Sequence, residues 1–147
     1  MAVAERRAEG VWQGNLTQGS GTVTPGSGAF GTLPVTWASR TEDPNGRTSP
    51  EELIAAAHAA CYAMAFSNTL NGAGTPPEQL NVTATCALDR VDGKMKIITM
   101  RLDVHGKVPG LDQAGFAAAA ATAEQGCPVS NALRNNVEIT VNATLDQ

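Results

Sequence analysis

Residues 49–64 read SPEELIAAAHAACYAM, and this stretch sets the centre of the fold. Ser49 is a good helix N-cap, Pro50 suits the first helical position, and Glu52 completes a Ser-x-x-Glu capping box. The helix predicted from that start runs to about Asn71, where Gly72, Gly74 and Pro76-Pro77 end it. Leu53, Ile54, Ala57, Ala60, Cys61, Met64 and Ala65 cover a wide arc rather than a narrow stripe, so the helix is expected to be mostly buried. Two reactive side chains stand in its alanine-rich middle. His58 and Cys61 are three residues apart and project to the same face.

Outward from this helix the chain is strand-rich. Residues 10–24 predict two short strands about a Gly/Ser/Gln turn, and residues 33–39 a third, with Pro34 confined to its start or edge. A polar loop follows over 40–48, with a turn at Pro44-Asn45-Gly46. Residues 80–105 carry β-branched, alternating arms on either side of Asp92-Gly93, the pattern of a long hairpin with a type I′ turn. A second helix is predicted from Leu111 to Gln125, a short third over 127–134 with Pro128 in its first turn, and a last strand over 136–145. Strands in runs rather than in alternation with helices predict an α+β fold with mainly antiparallel sheet. At 147 residues, 1–147 reads as a single domain.

Composition narrows the partners. Ten basic against 14 acidic residues give a net charge of -4, and no basic run exceeds Arg6-Arg7. The electrostatic footprint of a nucleic-acid binder is absent from such a chain. The N-terminus has no apolar core of a secretory signal, and the apolar stretch 53–66 is short for a bilayer span, so no membrane partner and a cytoplasmic location are expected. Aromatics make up 4% of the chain, which leaves few large side chains to fill a core and leans toward oligomerisation.

Three cysteines in a reducing compartment argue against a disulfide framework and for reactive, metal-binding or merely buried thiols. A free cysteine on a helix is ordinarily a small buried hydrophobe, and Cys61 alone would be read so. Cys127 lies between Gly126 and Pro128, at or next to a helix N-cap, where unpaired backbone N–H groups favour negative charge. Cys86, mid-strand, reads as structural. His58 with Cys61 could be base and nucleophile or two metal ligands, but no further ligand stands at metal-site spacing. A core histidine bonded to a backbone carbonyl is the reading favoured for His58. Neither a nucleophile elbow nor a phosphate-binding glycine loop is present.

RTEDPNGRTSPEELIAAAHAACYAMAFS, followed about 65 residues later by GCPVSNAL, resembles the OsmC branch of the OsmC/Ohr family, the organic hydroperoxide reductases. The resemblance extends from WQGN at 12–15 through VPG at 108–110 to the terminal strand. Ser49 stands where the family usually has Asn, a cap-for-cap exchange, and Tyr62 replaces a more usual Phe.

The resemblance implies an intertwined homodimer with a long buried central helix, and a thiol peroxidase that needs no metal or other cofactor. Cys61 matches the family's peroxidatic cysteine, Cys127 the resolving cysteine, Arg40 the active-site arginine and Glu51 the active-site glutamate. A Cys61–Cys127 disulfide would form during turnover. The implied partners are an organic hydroperoxide and a dithiol reductant, a lipoylated protein being the family's example. A non-enzymatic or redox-sensing protein of the same fold is the alternative.

The dimer also has an argument of its own. Glu51 and Cys61 are ten residues apart on one expected helix, which is about 15 Å of axial rise. A glutamate cannot span that distance, so Glu51 and Arg40 would serve the Cys61 of a partner chain.

Overall fold

The computed structural model describes residues 1–146, and the chain forms two compact units, residues 1–53 and 54 onward. In the first, β1 (Ala8–Gln13), β2 (Ser20–Pro25) and β3 (Leu33–Val35) make an antiparallel meander in that order. Pro34 lies on the edge strand β3, where its missing N–H breaks no ladder. Trp12 pairs with Gly21 across β1 and β2, and a Cβ on Gly21 would fall 2.6 Å from the indole ring. The glycine therefore makes room for the tryptophan to lie over its neighbour strand.

The predicted third strand is cut short. After Val35 the chain turns into a five-residue helix, α1 (Trp37–Thr41), which the sequence reading assigned to strand and loop. Thr36 and Ser39 cap it reciprocally: the Ser39 N–H donates to Thr36 Oγ1 and the Thr36 N–H to Ser39 Oγ, each at 3.0 Å. The Ser39 hydroxyl also donates to the Thr48 carbonyl at 2.9 Å, and the Thr48 N–H to the Pro34 carbonyl at 3.0 Å. These bonds tie α1 to the segment that enters the central helix. The loop between contains the expected turn, with Asn45 and Gly46 at φ 48° and 80°.

The central helix, α2 (Pro50–Gly72), starts in the first unit and continues as the first element of the second. The Glu52 N–H donates to Ser49 Oγ as expected of the cap, while the Glu52 carboxylate accepts from the Thr48 hydroxyl. By length and composition α2 is apolar enough to cross a membrane, which the sequence reading discounted. Within the chain only a stripe of it is fully buried: His58, Tyr62, Phe66 and Leu70, spaced by four. That is narrower than the predicted arc. Ala56, Ala57, Ala60 and Met64 stay exposed.

The buried stripe belongs to the core of the second unit. β4 (Gln79–Val91) and β5 (Lys94–Lys107) form the predicted hairpin, with Asp92 and Gly93 both at positive φ as a type I′ turn requires. β6 (Glu138–Leu145) pairs with β5 in parallel, so the order is β4-β5-β6. Met100, Leu102 and Val104 alternate along β5 and are buried, as a sheet with one covered face demands. Over them lie α2 and α3 (Gln113–Gly126), whose Phe116, Ala120 and Ala123 complete the core. Asp112 caps α3, two residues later than predicted, by accepting from the Gly115 N–H. Phe66 and Phe116 stack with centroids 4.9 Å apart, and the Tyr62 hydroxyl donates to the Ala120 carbonyl at 2.8 Å. α4 (Pro128–Leu133) follows α3 directly. The architecture is α+β, mainly antiparallel, with a long central helix.

Two outcomes test this packing. A Cβ on Gly106 would lie 2.4 Å from Phe116 Cζ, so Gly106→Ala should displace α3 from the sheet and cost about 1–3 kcal/mol, read as a lower denaturant midpoint. Burial holds the His58 pKa below its ordinary 6.5, against an opposing pull from the Glu124 carboxylate. The unfolded chain therefore takes up this proton first, and stability should fall as pH drops below about 6.5. The pH dependence of stability should be flatter in His58→Gln over that window.

Candidate active site

Cys61 sits one residue off the buried stripe of α2, which leaves it half-buried at the edge of the core. Cys127 joins two helices. It ends α3 and begins α4, its φ and ψ are extended, and its side chain makes no capping bond. It is fully buried. That uncommitted thiol reaches Cys61, and the Cys127 Sγ donates to Cys61 Sγ at 3.4 Å. Both are free thiols, and closing to the ~2.05 Å of a disulfide requires an approach of about 1.4 Å.

The electrostatics of Cys61 oppose its ionisation. Burial pushes its pKa up; a hydrogen bond from the Val129 N–H pulls it down; the neighbouring Cys127 pushes it up again. The net direction is upward, so a reactive thiolate here calls for a cation.

His58, one turn before Cys61, is also fully buried. Its Nε2 shares a 2.7 Å hydrogen bond with Ser130 Oγ rather than with the backbone carbonyl predicted for it. Its Nδ1 has no partner among the described residues. Ser130, Glu124 and Arg134 are the residues that sequence reading missed. Arg134 reaches from the end of α4 to the last turn of α3, donating to Glu124 Oε1 at 2.6 Å and to the Glu124 carbonyl at 3.0 Å. This clamp brackets the Gly126-Cys127 junction. The sequence signal for Ser130 was its spacing, three residues after Cys127 as Cys61 is three after His58.

Arg40 and Glu51 form a second pair, in the first unit. Arg40 projects from the last turn of α1 and Glu51 from the first turn of α2, held near each other by the Ser39–Thr48 bond. Arg40 Nε and Nη2 converge on one oxygen, Glu51 Oε1, at 2.9 and 2.8 Å. The pair leaves Glu51 Oε2 buried and, among the described residues, unpartnered. Trp37 lies under the guanidinium, 5.8 Å from ring centroid to Cζ. Beside them is a pocket of about 260 Å³ whose walls include Trp12, Leu16, Val35, Trp37 and Arg40. Tyr62, Phe66 and Phe116 are fully buried in the core.

Cys86 is half-buried on β4, opposite Met100, and packs against the core. Among the described residues no three His, Cys, Asp or Glu side chains gather as a metal site.

Residues 43–142 match the family of OsmC-like proteins. The chain is 39% identical over 134 residues to the peroxiredoxin OsmC of Escherichia coli (strain K12), covering 91% of this chain and 93% of that one. It is 30% identical over 99 residues to the organic hydroperoxide resistance protein of Xanthomonas axonopodis pv. citri (strain 306), covering 64% of this chain and 65% of the other. Among solved structures, an organic hydroperoxide resistance protein OsmC from Legionella pneumophila superposes with a TM-score of 0.77 at 27% identity, over 98% of this chain and 99% of that one. With α+β architecture, a long central helix and a match over most of its length, the chain belongs to the OsmC family.

Proposed function

We propose that the protein is a cytoplasmic, cysteine-based peroxidase that reduces organic hydroperoxides as a homodimer. The observation that carries the reading is the 3.4 Å approach of Cys61 to Cys127, two free thiols brought together from residues 66 apart. The Cys61 thiolate attacks the terminal peroxide oxygen and the O–O bond breaks. The alkoxide leaves and takes a proton to become the alcohol; Cys61 becomes a sulfenic acid. The Cys127 sulfur then displaces that hydroxyl, which departs as water with the Cys127 proton, and the Cys61–Cys127 disulfide forms. A dithiol reductant, such as the lipoyl group of a carrier protein, returns both thiols by exchange.

Arg40 would supply the cation that an upward-shifted thiol calls for, because a guanidinium cannot be silenced by deprotonation. Glu51 would orient it. Since α2 runs unbroken from Pro50 to Gly72, Glu51 and Cys61 of one chain stand about 15 Å apart along its axis, so each site would take Arg40 and Glu51 from the partner. The exposed Ala56, Ala57, Ala60 and Met64 face suits a close helix–helix contact between copies. In that assembly the Trp12–Trp37 pocket beside Arg40 would take the alkyl chain.

The tests divide the roles. Cys61→Ser should reduce peroxide turnover to background. Cys127→Ser should allow one rapid oxidation of Cys61 and then progressive overoxidation, seen by mass spectrometry; normal cycling with a dithiol would remove Cys127 from the mechanism. Cys86→Ser should be nearly neutral. A redox sensor would instead oxidise once per chain and turn over poorly with every reductant.

Two further outcomes bear on substrate and assembly. Each methylene buried in the pocket is worth about 0.8 kcal/mol, so cumene hydroperoxide should have a higher kcat/KM than hydrogen peroxide. Mixing Cys61→Ser with Glu51→Ala chains should restore activity, through dimers that hold one intact site. No recovery in verified mixed dimers, or a fully active monomer, would overturn the composite site.

A further inference from the structure

The two thiols are one rung of a two-rung ladder. On α2, His58 precedes Cys61 by three residues; across from it, Cys127 precedes Ser130 by three. The pairs cross over, Cys61 to Cys127 at 3.4 Å and His58 Nε2 to Ser130 Oγ at 2.7 Å, so the two helical turns run antiparallel here. On the same turn the Val129 backbone N–H favours the Cys61 thiolate. Everything the segment 127–130 offers Cys61 therefore depends on how α4 is rotated.

Few polar contacts refine that rotation. α4 has six residues, too few to hold a helical position by itself, and Cys127 makes no capping bond. Val129 and Leu133 pack on the core and orient α4 broadly, as apolar packing orients α2, but a hydrogen bond adds a sharper, directional constraint. The Arg134–Glu124 clamp ties α4 back to α3, not to α2. The bond from Ser130 to His58 is directional, fully buried and made to the helix that carries Cys61. Since His58 Nδ1 has no partner among the described residues, Ser130 is the one polar contact of the imidazole there.

We infer that His58 is a positioning residue for the resolving step: through Ser130 it holds Cys127 Sγ, and with it the Val129 N–H, in register with Cys61. The inference rests on the assignment of Cys61 as peroxidatic and Cys127 as resolving. It gives His58 a role other than base or metal ligand. The thiols must close by about 1.4 Å with the attacking sulfur aligned to the bond that breaks. Misplacement by about 1 Å costs a reaction on the order of a hundredfold.

The experiment follows each half-reaction separately in the full chain, with cumene hydroperoxide as oxidant. Rapid quench and mass spectrometry give the rate of disulfide formation and the fraction of Cys61 lost to sulfinic acid. His58→Asn, whose amide is too short to reach Ser130, and Ser130→Ala should each slow disulfide formation by about 10- to 100-fold and raise overoxidation in proportion. His58→Gln places an amide where Nε2 stood, and Ser130→Thr keeps the hydroxyl; both should resolve near the wild-type rate. The double variant His58→Asn/Ser130→Ala should be no slower than either single one, because both remove the same bond. In the Cys86→Ser/Cys127→Ser background, His58→Asn should also move the Cys61 thiolate titration to higher pH.

Wild-type resolution in folded Ser130→Ala, or equal slowing by His58→Gln and His58→Asn, overturns the positioning role. A wild type that forms no Cys61–Cys127 disulfide overturns the thiol assignment beneath it. The two failures are distinguishable, since the first leaves the wild-type disulfide intact.

Discussion

The burial of one stripe of α2 governs the rest. His58, Tyr62, Phe66 and Leu70 stand at spacings of four, and four residues per repeat is close enough to the 3.6-residue turn for all of them to enter one core. Packing them against β5 and α3 fixes the rotation of α2. Cys61, one position before Tyr62, is then carried to the edge of the core, half-buried beside the α3–α4 junction. A hundred-degree rotation would put the sulfur in the middle of the aromatic cluster or on the alanine face. The chemistry of this protein is thus set by a hydrophobic register, and the Tyr62 hydroxyl strengthens that register by bonding the Ala120 carbonyl of α3.

What the sequence disclosed and what it concealed divide along the range of the interactions involved. The hairpin was legible because Asp92-Gly93 demands positive φ at both turn positions and its arms alternate. The start of α2 was legible because Ser49, Pro50 and Glu52 act within one turn. By contrast, α1 was read as strand and loop. Val35 and Trp37 favour strands, and the five residues turn helical through a Thr36–Ser39 cap and a tie from Ser39 to Thr48 that no local pattern announces.

The site follows the same division. Its four candidate residues, Cys61, Cys127, Arg40 and Glu51, come from resemblance, with Cys127 marked also by its place at a helix start. Their geometry was not found. The partner of His58 lies 72 residues away, and only the folded chain shows that it is a serine rather than a carbonyl. That Arg40 would spend both N–H groups on one oxygen of Glu51 was equally invisible, since a forked pair and a single-oxygen pair use the same residues.

Each pair in the chain is chemically incomplete, and the two shortfalls are complementary. Burial and the Cys127 thiol hold Cys61 toward its neutral form, with a lone backbone N–H opposing them. Arg40, still about a third exposed along its side chain, carries a permanent charge and has nitrogen to spare beyond its contact with Glu51. Among the described residues Glu51 keeps a buried oxygen without a donor, an arrangement that costs free energy unless something that can donate arrives. In the proposed composite site a hydroperoxide would satisfy both, its O–H donating to the carboxylate oxygen and the anion it leaves behind being stabilised by the guanidinium. Bound so, a hydroperoxide would be favoured over an alkyl chain of the same shape, because a hydrocarbon would leave the carboxylate oxygen as bare as before.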